Sequence, residues 1–463
     1  MIKQEIVDRI ISDVSILDVA EDEGIKFSAK KGNRHWACCP FHNENTPSFY
    51  VDTGTNCWRC FGSCRSGGNV ISLYRKLKNG LPFPIACKEL AKKYLNEEIE
   101  DEWRPSKEEE EKQKEQESLR IALSYAQSYF TECIQEVNPA AIKAREAVCK
   151  RWGKDAIGTF GIGYAPVEGF IAWAKHKGLD FDILEQVGLI GTGERGMFPM
   201  LRDRYTIPIY DKMSRVIGFT ARTMSDNKDV CKYLNLKNSL VYRKDTSVFG
   251  INFAQKEARQ KDKFYLVEGA PDVLKLQSIG ILNTVASLGG SWTENQLKQL
   301  YRISKRVTFI PDADELKSGN EFPAGTANVF ANGRAALKVG FTVNVREIPI
   351  DYPAPKKEDP DSWIIDKGHF SQMREEEFVF WYCRRRYWAS PEDIEELTTE
   401  DRLEAISDIC SLLMMIRDED LQNSYLSTLI STYKHRREWM DTLKRAKVAE
   451  LSEKQEAERK GDA

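Results

Sequence analysis

FYLVEGAPDVLKLQSIGILNTVASLGG, residues 264–290, decides the fold, because it reads as strand, helix, strand in immediate succession. Phe264 to Val267 is a short apolar run that stops at Glu268-Gly269. PDVLKLQSIG then carries apolar residues at helical spacing, and TVASLGG returns to a short apolar run closed by glycines. The alternation continues outward. TENQLKQLYRIS (293–304) reads as a helix, RVTFIPDAD (306–314) as a strand, TANVFANGRAALKVG (326–340) as a helix and TVNVREIPI (342–350) as a strand. Strands separated by helices of this length predict a largely parallel sheet with helical crossovers.

Acids stand at the ends of these strands. FYLV ends on Glu268, RVTFIP ends on Asp312-Ala313-Asp314, and the last strand is followed by Glu358-Asp359-Pro360-Asp361. Carboxyl ends of parallel strands share one rim, which is where open α/β sheets bind ligands. So many like charges repel unless a cation neutralises them, so Mg²⁺ or Mn²⁺ is expected there, with two or more ions suited to in-line phosphoryl transfer. Any one of these acids alone would be an ordinary turn residue. Three acidic strand ends in succession are not a chance pattern.

Upstream the texture differs. FGIGYAP, YTIPIYD and RVIGFTAR read as strands between turn residues, and residues 202–244 hold ten Lys/Arg against four Asp. The whole-chain net charge of -3 conceals that local excess. GTGERG at 191–196 satisfies a dinucleotide-type glycine pattern, but no helix opens after it, so it reads as a glycine-rich turn. No P-loop pattern occurs. Further upstream, EIEDEWRPSKEEEEKQKEQESLR is almost wholly charged and reads as a solvated linker, helical in its second half.

The first hundred residues carry a metal-type cluster. Five of the eleven cysteines fall between Cys38 and Cys64, in HWACCPFH and CWRCFGSC. With no signal peptide or membrane span expected, this favours a reducing cytoplasm and one structural Zn²⁺ over disulfides. Cys39 and His42 form one ligand pair; the other is Cys60 with Cys57 or Cys64. Cys57-x2-Cys60 has the ordinary spacing, whereas Cys60-Phe61-Gly62 supplies the glycine that a metal-binding turn uses. Both choices stay open on the residues alone. Lys30, Lys31, Arg34, Trp36, Phe49, Tyr50, Trp58, Arg59 and Arg65 mix cations with rings around it, as a single-strand platform would.

CCPFHNENTPSF followed by CFGSCRSGGNVISL resembles the zinc-binding domain of bacterial DnaG-type primases. FGIGYAP, RDRYTIPIYDKMSRVIGFTARTM, KYLN and YRKDTSVFG resemble, in order, the amino-terminal half of that family's polymerase core. EGAPDVLKLQSIGILNTVASLGGS with the acids is similar to its TOPRIM fold. The resemblance implies zinc ligands Cys39, His42, Cys60 and Cys64, with Ser63 as an insertion and Cys38 a neighbour. It implies Glu268 as general base or metal ligand, with Asp312 and Asp314 also catalytic. Asp312, Asp314, Asp359 and Asp361 would hold magnesium. Arg145, Arg204, Arg222, Lys232, Asn235 and Lys244 would bind nucleotide and template.

Two departures stand out: Ser63, and residues 315–323 (ELKSGNEFP) inserted before Ala324-Gly325. The fold class expected is multidomain α/β and α+β: a zinc domain at 1–98, linker 99–118, basic half-core 119–260, TOPRIM subdomain 261–370 and helices at 371–463. The function implied is RNA primer synthesis on single-stranded DNA from ribonucleoside triphosphates by a cytoplasmic monomer. The C-terminal helices would contact a DnaB-type helicase. The rivals are a TOPRIM nuclease or topoisomerase, and a non-catalytic single-strand-binding or helicase-loading protein.

Overall fold

The computed structural model describes residues 2–461 except 3, 43, 45, 63, 65, 79, 100–106, 195, 226, 228, 389 and 391. Ser63 and Arg65 therefore lie outside the described residues. The chain divides into two compact units, Met1–Lys112 and Gln113–Ala463. Among the described residues no helix is long and apolar enough to cross a membrane.

The first unit is an antiparallel meander of five strands, β1 (Ala29–Lys31), β2 (Arg34–Ala37), β3 (Phe49–Asp52), β4 (Cys57–Cys60) and β5 (Gly67–Asn69), in sequential order. Helices Gln4–Asp13, Ile16–Asp22, Val70–Leu77 and Phe83–Leu90 accompany it. Ile10, Ile16, Val19, Phe49, Val51, Trp58 and Leu73 form one buried cluster. Asn69 caps the helix after β5 by accepting from the Ser72 N–H at 3.0 Å. Asn56, in the β3–β4 turn, donates to Ile11 and Val14 carbonyls and accepts from the Ile16 N–H, fixing the corner between the first two helices.

Helix Lys107–Cys133 spans the boundary into the second unit, and helix Pro139–Trp152 follows it. A four-stranded sheet follows, with β6 (Gly163–Ala165), β9 (Arg204–Tyr210), β10 (Val216–Thr223) and β11 (Tyr233–Asn235) in the order β11-β10-β9-β6. The glycine-rich stretch at 191–196 is the tip of a small hairpin, β7 (Ile190–Gly193) with β8 (Gly196–Pro199). The larger sheet comprises β12 (Val248–Phe249), β13 (Phe264–Val267), β14 (Thr284–Ser287), β15 (Arg306–Phe309), β16 (Thr342–Arg346) and β17 (Glu375–Glu377). Its order is β12-β14-β13-β15-β16-β17; the four central strands are parallel and both edges antiparallel. Four of its strands are the sequence-read runs at 264, 284, 306 and 342. Burial on both faces explains why β13 and β14 read as near-continuous apolar runs, whereas β16, next to the edge, alternates buried Val343 and Val345 with half-buried Thr342, Asn344 and Arg346.

The reading of 371 onward as helix alone is corrected at Glu375–Glu377, which forms edge strand β17. Three glutamates are poor strand residues. Here Glu375 accepts from Lys263 at 2.5 and 2.7 Å, from Asn344 at 2.6 Å and from Thr308 at 3.3 Å, so the tertiary partners override propensity. Nor do the C-terminal helices stand apart. Trp381, Ile406, Leu413, Leu429 and Trp439 share one buried cluster with Leu266, Val285, Val307, Phe309 and Val343 of the sheet.

Asp408 ties these helices together. It accepts from Arg334 at 2.5 Å, Tyr382 at 2.6 Å and Tyr387 at 2.8 Å. Burial alone would raise its pKa, but the Tyr382 and Tyr387 hydroxyls and Arg334 outweigh burial and hold it below the usual value. A depressed folded pKa stabilises above the unfolded value and is lost as pH falls through the folded one. Asp408→Ala is therefore expected to cost roughly 2–4 kcal/mol in urea unfolding at pH 7. The deficit relative to wild type should shrink below about pH 4. An unchanged deficit there would show that packing, not charge, is responsible.

Candidate functional site

In the first unit the ligand atoms of Cys39, His42, Cys60 and Cys64 lie within 4.8 Å of one another. β4 explains why Cys57 is not among them. Its residues alternate outward and inward, so Cys57 is exposed and Cys60 buried; a C-x2-C inside a regular strand sends its thiols to opposite faces. Gly62, just past the strand, donates its N–H to the Cys60 sulfur at 3.2 Å. Cys38 is exposed, outside the cluster.

His42 Nε2 meets Glu44 Oε2 at 2.8 Å, while its buried Nδ1 has no partner among the described residues. Glu44 also accepts from the Cys39 N–H at 2.6 Å and from the Ser48 hydroxyl at 2.6 Å. Ser48 first, then the Cys39 N–H and His42, bring the Glu44 carboxyl down to about 2. A carboxylate orienting one imidazole nitrogen while the other is left bare, beside three thiols, fits tetrahedral Zn²⁺. Reading CPFH as the whole motif missed Glu44, two residues on.

The cations and rings divide between the two faces of the meander. Trp36, Tyr50 and Arg59 are cross-strand neighbours on one face, with Arg34 4.8 Å from the Tyr50 ring centroid and Arg59 5.2 Å from that of Phe61. Phe61 is 57% exposed. Phe49 and Trp58 face the other way and are core, which corrects their place in a stacking platform.

In the second unit, Glu268 ends β13, Asp312 and Asp314 follow β15, and Asp359 caps the short helix Pro360–Trp363, accepting from the Ser362 N–H at 2.7 Å. Glu268, Asp312 and Asp359 line one cleft of about 290 Å³ with Arg151, Lys232, Tyr233, Asn235 and Asp272. Glu268 Oε1 and Asp312 Oδ1 are buried with no partner among the described residues. Burial first, then Asp312 and Asp314, push Glu268 up to about 7. Burial also raises Asp312, against the pull of Lys357. Bare, buried carboxylate oxygens raised in this way fit a site for hard divalent cations.

Asp361 is placed differently from the expectation. Its carboxylate accepts from Arg151 and, at 2.6 Å, from the Trp152 indole N–H, so these protein donors engage both of its oxygens. Arg151 also reaches the Tyr205 hydroxyl at 2.9 Å and that of Tyr233 at 3.2 Å. Arg222 meets the same Tyr205 hydroxyl at 3.2 Å. A polar chain thus runs from the acid rim into the basic sheet. Asp272, buried, accepts from the Gly269 N–H at 3.0 Å and the Asp361 N–H at 3.1 Å. It braces the two acidic turns, and burial, then Asp312, Asp359 and Asp361, raise its pKa well above normal.

Of the expected basic residues, Arg222 and Lys232 line a second cleft of about 510 Å³ with Lys143 and Tyr205, and Lys232 and Asn235 also line the first. Arg204 does not reach either. It is 7% exposed and donates to the Ala221 and Lys232 carbonyls. Arg145 donates to the Ile134 and Glu136 carbonyls, outside both clefts. Its place at the rim belongs to Arg151. Both arginines border the buried stripe Ala144, Val148 and Trp152, so helical phase alone did not separate them. Lys244 is exposed on a turn outside both clefts.

Residues 315–323 loop out, and Gly325 returns to donate its N–H to Asp314 at 2.8 Å. A Cβ on Gly325 would overlap the Asp312 carbonyl oxygen. Gly325→Ala is expected to cost about 1–3 kcal/mol in urea unfolding by displacing backbone. Gly158→Ala, in the helix Ala156–Phe160 where a Cβ meets nothing within 4 Å, should be neutral or stabilising by up to about 1 kcal/mol. Equal effects would remove the steric explanation.

Three family models match the chain in order: CHC2 zinc finger over residues 2–105, DNA primase catalytic core, N-terminal domain, over 140–255, and Toprim-like over 265–364. The chain is similar to DnaG-type primases in these regions. Similar proteins include the DNA primase of Clostridium acetobutylicum, 29% identical over 89% of this chain and 65% of the relative. That of Pseudomonas putida is 31% identical over 80% of this chain and 54% of the relative. The chain thus spans between half and two thirds of these relatives' length. Among solved DnaG-type structures, the Aquifex aeolicus primase (zinc binding and RNA polymerase domains) is 26% identical, with a TM-score of 0.54, covering 93% of this chain and 97% of that one. A DnaG primase catalytic domain bound to ssDNA shares the fold at 24% identity and a TM-score of 0.56, over 69% of this chain and 96% of that one.

Proposed function

We propose that this chain is a DNA primase, a DNA-directed RNA polymerase that makes short RNA primers on single-stranded DNA from ribonucleoside triphosphates. The observation that carries the reading is the juxtaposition of bare acids and a basic, tyrosine-lined sheet across one cleft. Glu268, Asp312, Asp314 and Asp359 would hold two or more Mg²⁺ or Mn²⁺ ions, which when bound supply charge neutralisation for the phosphates and acidify a ribose 3′ hydroxyl. Glu268 stands at the rim where it could hold a cation or take that proton. Arg222 and Lys232 would pair with triphosphate or template phosphates, and Arg151 would fix Asp361 and hence the turn carrying Asp359. Cys39, His42, Cys60 and Cys64 would hold the structural Zn²⁺. The face with Arg34, Trp36, Arg59 and the exposed Phe61, underlain by the buried Tyr50, suits unpaired bases and their phosphates. A replicative helicase contact would use the outer surface of the C-terminal helices, since their inner faces pack on the sheet. Incubation with ribonucleotides, Mg²⁺ or Mn²⁺ and single-stranded DNA should yield short RNA without a primer. Template cleavage in place of RNA would favour a Toprim nuclease and overturn this reading.

A further inference from the structure

The acid rim already contains a cation of the chain's own. Lys357 Nζ lies 2.6 Å from Asp312 Oδ2 and 2.7 Å from Asp314 Oδ1, bridging the two carboxylates. Among the described residues no other cationic side chain pairs with either acid. The bridge is not a long side chain finding the nearest charge, because the backbone beneath it is pinned. Ala313 and Glu358 exchange two hydrogen bonds, at 2.8 and 2.9 Å, joining the turn after β15 to the segment before Asp359. The Lys357 N–H donates to Glu315 Oε1 at 3.2 Å. Glu315 is the first residue of the insertion 315–323, so the inserted loop helps to present the lysine.

We propose that Lys357 is a tethered counter-ion and positioning residue: it holds the Asp312/Asp314 pair together before metal binds and must leave for a divalent cation to enter. This rests on the reading of the rim as a divalent-cation site. Without a cation the two acids would repel each other beside buried Glu268. The ammonium supplies donors to both but leaves Glu268 Oε1 and Asp312 Oδ1, both buried, without a partner among the described residues. The Lys357 side chain is 53% exposed whereas that of Asp312 is 9% exposed, so the lysine can swing out to water on its flexible stem while the acids stay. Metal affinity at this rim is therefore set by a competition. The insertion that pins the lysine tunes the metal concentration at which the site fills.

The test is Mn²⁺ binding to the full chain, read from the free-Mn²⁺ electron paramagnetic resonance signal, for wild type, Lys357→Met, Lys357→Arg and Asp312→Asn. Lys357→Met should bind Mn²⁺ at least about tenfold more tightly than wild type, and Lys357→Arg, which keeps the charge, should bind like wild type. In EDTA, Lys357→Met should unfold at lower urea than wild type, and saturating Mn²⁺ should abolish that difference. Affinity in Lys357→Met equal to or weaker than wild type overturns the competition alone. An isotherm that Asp312→Asn leaves unchanged places the metal elsewhere and overturns both this inference and the divalent-cation reading.

Discussion

Asp312→Asn is expected to lower primer synthesis by at least about a thousandfold while leaving the protein folded. The carboxylate is nearly buried, one of its oxygens has no partner among the described residues, and it lines one cleft with Glu268 and Asp359. An amide has the same shape but no charge, so cation binding is lost with little change in packing. The lost ion pair to Lys357 costs about 1–2 kcal/mol, and the relief of repulsion on Glu268 offsets it. The urea midpoint should therefore correspond to a change within about 1 kcal/mol. Glu268→Gln should behave likewise. Arg145→Ala, whose side chain serves only loop carbonyls, should keep activity within about threefold. Primer yield from Asp312→Asn within tenfold of wild type would remove the acid rim from the chemistry.

Cys64→Ser is expected to lose its zinc, and Cys57→Ser to keep it. Binding of a structural zinc ion by a tetrahedral thiolate–imidazole set is worth about 10–16 kcal/mol at neutral pH, and much of that is folding energy. Replacing one thiolate by a weakly ligating hydroxyl forfeits much of it, so Cys64→Ser should also become sensitive to protease around residues 38–66. Cys57 lies on the solvent face of β4 and should be replaceable without either effect. Atomic absorption on both purified variants decides the matter. Zinc lost from Cys57→Ser and kept in Cys64→Ser would reverse the ligand set.

Much of this molecule is legible in its residues because burial writes periodic patterns. The parallel strands at 264, 284, 306 and 342 are short runs rich in buried apolar residues, and helices of ordinary length separate them. Their carboxyl ends had to share a rim, so Glu268 and the acids of 312–314 could be grouped before any coordinates. Elsewhere the pattern was silent or misleading. Glu375–Glu377 looks nothing like a strand, and only Lys263, Asn344 and Thr308, distant in sequence, make it one. Arg204 has the same side chain as Arg222 and sits on the neighbouring strand, yet its guanidinium is turned into the sheet.

The residues alone carry the order of the domains, the parallel sheet, the acidic strand ends and the Cys/His composition of the metal cluster. These depend on local periodicity and short spacings. Packing in three dimensions is what brings Cys64 and not Cys57 into the cluster, takes Arg151 and not Arg145 to the rim, and holds Asp361 with protein donors. It alone placed Lys357 between Asp312 and Asp314. Each of these depends on the direction of one side chain and on a partner far along the chain, and three-dimensional packing sets both.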